Sequence, residues 1–233
     1  MQTTLSNGRV LNFPIRFDGV DQAILSFDVR ASDVARLLPR DLRPLNCGYG
    51  LSEMFVHWQS TRVSDLGSFS EMLIGFLVEE PYYRGQAAYF LVNPVTSAEA
   101  RILGMELWGL HKILSRIECQ RDNARMRCTL TMDEEFVLAM DLPLVSGKPC
   151  DLNTLACAGE GDRSTVFRYR QWGPRCTELM RPTDVRLELG RHALSETIGG
   201  LMLGSSIKRY ILRENCRILI GPSLGLLLTT SGN

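Results

Sequence analysis

The stretch Leu114–Leu142, LSRIECQRDNARMRCTLTMDEEFVLAMDL, sets the architecture. It holds three runs of strand character, Leu114–Arg121, Ala124–Met132 and Phe136–Leu142, separated only by Asp122-Asn123 and Asp133-Glu134-Glu135. Links this short join antiparallel neighbours and cannot carry a crossover, so the stretch reads as a meander. Towards the N-terminus, Gln22–Val29 reads as a strand with Ala23, Leu25, Phe27 and Val29 on one face. A short helix follows, capped by Ser32 and stopped at Pro39. Ser52–Gln59 alternates through Met54, Val56 and Trp58, whereas Glu71–Val78 is almost wholly apolar and reads as buried on both faces. Ala87–Asn93 is a further strand, and Thr96-Ser-Ala-Glu99 has capping-box spacing ahead of a helix through Leu103. Towards the C-terminus, Ser146–Arg163 is rich in Gly, Asp, Ser and Cys and reads as a long loop, after which Thr165–Trp172, Cys176–Met180 and Val185–Leu189 resume the strand pattern. About ten short strands with a few helices predict an α+β chain dominated by an antiparallel sheet or barrel. No repeat or composition step divides it, so residues 1–233 read as a single domain.

The 26 basic residues balance 26 acidic ones, so net charge suggests neither a nucleic acid nor a membrane surface as partner. An apolar fraction of 45% is enough to bury a core. The most apolar run, Ile218–Leu228, is broken by Gly221 and Pro222, and no signal peptide or transmembrane span is read. Seven cysteines without a C-x-x-C pattern predict free thiols in a reducing, cytoplasmic compartment. Nucleotide-binding glycine loops are absent, and His57, His111 and His192 lack metal-ligand spacing, so no metal site is expected.

Only Lys112, Lys148 and Lys208 are lysines, which narrows any amine chemistry to three positions. Lys112 closes the segment Gly104-Met-Glu-Leu-Trp-Gly-Leu-His-Lys112-Ile113, between Leu110 and Leu114 and directly before a strand. Apolar company disfavours the charged form of an amine, and a neutral amine is the nucleophile that imine formation needs. Taken alone, such a lysine more often lays its stem on apolar surface and keeps its amine in water, with Trp108 and Gly109 as core and turn.

The run Gly104-x-Glu106-x-Trp108-Gly109-x-x-Lys112 resembles the active-site segment of the acetoacetate decarboxylase-like superfamily. Leu66-Gly-Ser-Phe-Ser-Glu71, Ser52-Glu53-Met54, Phe17–Leu42, Pro174–Leu179 and Arg186–Ala193 are similar to other family segments in the same order, so the resemblance covers about residues 17 to 200. It implies a closed β-barrel or cone, assembly of identical subunits, no cofactor, and a small keto compound as substrate. By the same resemblance Lys112 forms the imine, Glu71 shuttles the proton and Glu53 orients polar substrate atoms or stabilises the iminium. The resemblance also sets Val20, Trp108, His111 and Ile113 beside the substrate, three of them as departures. Val20 stands where the family has the arginine that holds the substrate carboxylate, and Ile113 stands where its best-known members have a second lysine. His111 replaces a proline and reads as either an acid–base group or a histidine satisfied at a turn. Three functions stay open: an imine-forming lyase on a keto or β-keto acid, an aldolase, dehydratase or cyclase on a larger apolar keto substrate, and a non-catalytic ligand-binding barrel.

Overall fold

The computed structural model describes residues 1–79, 86–160, 163–204 and 206–226. Among these run β1 (Gln2–Thr4), β2 (Val10–Asn12), β3 (Ile15–Arg30), α1 (Ala31–Ala35), β4 (Leu51–Ser64), β5 (Phe69–Glu79), β6 (Gln86–Val95) and α2 (Ala98–Trp108). They continue with β7 (Lys112–Leu114), β8 (Arg116–Arg121), β9 (Arg125–Met132), β10 (Glu135–Pro143), β11 (Lys148–Glu160), β12 (Arg163–Met180), β13 (Arg186–Leu189), α3 (Ala193–Leu201) and β14 (Arg209–Leu226). No helix among the described residues is long and apolar enough to cross a membrane.

The meander forms as expected, with β8, β9 and β10 antiparallel neighbours. It belongs, however, to a four-stranded sheet of order β13-β10-β9-β8, separate from an eight-stranded sheet of order β11-β12-β14-β3-β4-β5-β6-β7. Period-two alternation explains how the two sheets pack. On β4, Met54, Val56 and Trp58 join an outer core with Met126, Cys128 and Leu130 of β9 and Leu138 and Met140 of β10. The intervening Glu53, Phe55, His57 and Gln59 therefore face the other way. That inner side carries a second core, in which Phe55, Phe69, Leu73, Phe90 and Phe167 meet Leu103 and Trp108 of α2.

The expected closed antiparallel barrel is corrected in two respects. Part of the expected strand set lies in the second sheet, and the eight-stranded sheet runs in an open order with β7 at one edge. Six antiparallel steps separate β11 from β6, so these strands point the same way and can meet only in parallel. They do so over Leu155↔Ala87, Ala156↔Ala88 and Cys157↔Tyr89, and the rest of that edge of β6 pairs with β7 through Asn93↔Lys112 to Val95↔Leu114. Two pairing partners on one edge thus replace a continuous seam.

The segment read as a loop from Ser146 to Arg163 is largely strand β11, because its pairing with β12 from Lys148↔Cys176 to Glu160↔Arg163 overrides a turn-rich composition. Helix α1 begins after Arg30 without a side-chain cap, so Ser32 lies inside it. In α2 the cap is Ser97, whose hydroxyl accepts from the Ala100 N–H, and not Thr96. That helix ends where Gly109 takes φ 65°, a left-handed turn that glycine adopts without steric cost, and the Gly109 N–H donates back to Gly104 and Met105.

Candidate active site

Arg213 of β14, Gln22 of β3, Gln59 of β4 and Glu71 of β5 are register partners in one row across four adjacent strands. The inner side chains of Gln22, Gln59 and Glu71 are all buried, and each finds a partner in the next. Gln22 Nε2 donates to Gln59 Oε1 at 2.7 Å, and Gln59 Nε2 donates to Glu71 Oε1 at 2.9 Å. Gln171 Nε2, from β12, donates to Gln22 Oε1 at 2.5 Å. Every amide in this chain turns its N–H end towards Glu71, so the dipoles reinforce one another and hold a carboxylate as their final acceptor.

Lys112 closes the chain, since its Nζ donates to Glu71 Oε2 at 2.6 Å and the side chain is only 5% exposed. Its approach depends on α2. An ideal Cβ on Gly104 would fall 2.3 Å from Lys112 Cε and 2.6 Å from its Cδ, so the lysine stem runs over a bare patch of helix. The Phe69 ring lies 5.8 Å from Nζ, which adds a cation–π contact on the apolar side. A carboxylate and an amine at this separation can exchange a proton and then share the charge of whatever the amine becomes.

A cavity of about 60 Å³ opens beside the pair, walled by Phe69, Leu103, Trp108 and Phe167. That is space for several waters or one small ligand. Trp108 lines it with its Nε1 donating to the Gly221 carbonyl at 3.1 Å and its ring centroid 5.5 Å from that of Phe167. His57 also lines the cavity; burial, reinforced by the Arg213 charge, lowers its pKa from 6.5 to about 3, so the imidazole is neutral at ordinary pH. No group of three or more His, Cys, Asp or Glu side chains that could hold a metal gathers among the described residues.

The other predicted site residues lie elsewhere. Glu53 is buried on the same inner side but six residues from Gln59, about 20 Å along the strand. It pairs with Arg209 and, at 3.1 Å, with Lys208, and it lines an adjoining compartment instead of the Lys112 cavity. The expected convergence of Lys112, Glu71 and Glu53 is therefore limited to the first two. Val20 is buried in the inner core, but Phe17 and Gln22 are the β3 residues that reach the cavity wall. Ile113 alternates to the outer core, and so faces away from Lys112. His111 is exposed and stands outside the cavity. Sequence reasoning missed the three glutamines, because a lone glutamine in a strand carries no chemical signature. Only the Gln59–Glu71 pair was within reach, as neighbouring strands of one hairpin.

A family model described as acetoacetate decarboxylase (ADC) matches residues 3–153. Among solved structures, an acetoacetate decarboxylase from Legionella pneumophila is 17% identical with a TM-score of 0.64, the alignment covering 94% of this chain and 92% of that one. The enduracididine biosynthesis enzyme MppR is 15% identical, with a TM-score of 0.64 and coverage of 92% and 89%. An acetoacetate decarboxylase-like enzyme from Sphingomonas wittichii RW1 is 13% identical, with a TM-score of 0.62 and coverage of 97% and 100%. No curated protein matches.

Proposed function

The chain belongs to the acetoacetate decarboxylase family, and on that premise we propose that it is an imine-forming enzyme that activates a small ketone through Lys112, with Glu71 as its proton partner. The observation that carries this reading is the buried 2.6 Å contact between Lys112 Nζ and Glu71 Oε2 at the wall of a cavity. The ammonium passes one proton to Glu71, leaving a neutral amine that adds to the ketone carbon. Glu71 returns that proton to the departing hydroxyl, so water leaves and a protonated imine stands beside a carboxylate. The same carboxylate then takes a proton from the neighbouring carbon, and the C–H electrons pass into the imine to give an enamine.

Among the described residues no arginine lines this cavity. A carboxylate next to the imine would lie in apolar surroundings without a partner, at a cost of several kcal/mol. The bond we assign is therefore C–H, or C–C in the aldol sense, in preference to the C–CO2 bond of a short β-keto acid. A non-catalytic binding role would keep the same ion pair, and one experiment separates the two. In D2O, a small methyl ketone should exchange its α-protons in the presence of the protein, and Lys112→Met should abolish this. Exchange that is absent from the native protein, or unchanged in Lys112→Met, would favour the binding role.

A further inference from the structure

Beyond the Lys112 cavity lies a second compartment of about 270 Å³, and the two share His57, Phe90 and Tyr169 as a common wall. Its charged groups are unevenly paired. Arg209 is committed to Glu53 and Glu178, and Glu53 also accepts from Lys208. Arg213 lines the same compartment and has no carboxylate within ion-pair distance among the described residues. Its Nη1 reaches Gln22 Oε1 and Gln171 Oε1 only at 3.4 Å, and its Nε is buried without a hydrogen-bond partner. His57 Nε2, at the shared wall, is likewise buried and unpartnered. Folded proteins rarely leave such polar atoms orphaned, and both residues line this one compartment, which points to a ligand bound there. A guanidinium without an ion-pair partner is suited to a planar carboxylate.

We propose that Arg213, with His57 at the shared wall, receives the distal carboxylate of a keto acid whose ketone reacts at Lys112. The inference rests on the imine reading above and adds the substrate class. Register fixes the length required. Arg213 and Glu71 stand at opposite ends of the row through Gln22 and Gln59, three strand spacings or about 14 Å apart at the backbone. Both side chains reach inward and shorten that span, but the wall between the compartments keeps the two ends apart. A carboxylate two bonds from its ketone carbon, as in acetoacetate, cannot bridge them. One carried on three or four methylene groups can, with its chain against Phe90 and Tyr169.

The test compares trapping at Lys112 by borohydride across acetoacetate, 5-oxohexanoate, 6-oxoheptanoate and neutral methyl ketones of matched length, read by intact mass. We expect half-maximal labelling by the two longer keto acids at concentrations at least tenfold lower than for acetoacetate or the neutral ketones. Arg213→Gln should erase that advantage and Arg213→Lys should keep part of it, the advantage being measured in each variant against that variant's own labelling by the neutral ketones. Equal labelling by keto acids and neutral ketones, or an advantage that survives Arg213→Gln, would overturn the proposal. Failure of every ketone to label Lys112 would instead overturn the imine reading. The carboxylate site then stands or falls on whether hexanoate raises the melting temperature of the native protein and not of Arg213→Gln.

Discussion

Glu71 and Glu53 face the same interior from neighbouring strands, and the two ends of that interior treat them differently. At the Lys112 end one carboxylate meets one amine and one carboxamide, inside an apolar wall. At the other end Glu53 meets Lys208 and Arg209, and those cations are shared in turn with Asp28 and Glu178. The first arrangement leaves a proton only one place to go, because glutamines neither take nor release one near neutral pH. The second spreads charge over several partners, so no single proton transfer is singled out there. On the proposed reading, chemistry belongs to the first end, while the ion pairs of the second join strands β3, β4 and β14.

Exchanging the two carboxylates for amides breaks this contrast most sharply. Glu71→Gln should lower the rate of α-proton exchange by ~10²–10⁴-fold, the usual worth of a positioned acid–base group. Glu53→Gln should leave that rate within a few-fold of native. It should instead cost on the order of 1–3 kcal/mol in urea unfolding, since Lys208 and Arg209 lose a buried acceptor but keep Asp28 and Glu178. Equal effects of both substitutions on rate would erase the distinction between the ends.

His57, at the boundary, provides a pH signature. Its folded pKa of about 3 lies below the ordinary 6.5, so between those values the unfolded chain binds a proton that the folded chain does not. Stability should therefore fall as pH drops through about 6.5 and keep falling towards 3, by on the order of 3 kcal/mol from this group at pH 4. His57→Gln should flatten the decline, as followed by urea midpoints between pH 7 and pH 4. Gly104→Ala probes the lysine end alone. The added methyl would collide with the far end of the Lys112 side chain and not with backbone, so the fold should survive with little change in melting temperature. The amine would move by an ångström or more, and exchange should fall about 10²-fold.

How much of this was legible in the sequence divides along the same line. The outward alternation of Met54, Val56 and Trp58 was plain, because a strand with one apolar face declares its core. The neighbours of Lys112 taken alone favoured an amine kept in water and not the buried one observed, whereas its pairing with Glu71 was legible through a spaced resemblance. The glutamine chain was not, since Gln22, Gln59 and Gln171 come from three distant segments and acquire meaning only in register. Glu53, set beside Lys112 by the resemblance, lines the adjoining compartment instead, six strand positions from Gln59. The strand β11 was hidden by composition, and β14 by the register shifts at Arg213, Cys216 and Ile218 that interrupt its alternation. Resemblance also set Ile113 beside Lys112, whereas the period of two along β7 sends adjacent side chains to opposite cores.

Reduction of the protein with borohydride in the presence of a keto substrate, followed by peptide mass mapping, tests the central claim most directly. With only Lys112, Lys148 and Lys208 available, the label should appear on the peptide containing Lys112 and vanish in Lys112→Met. Label on Lys208 or Lys148 with Lys112 unmodified would contradict the account.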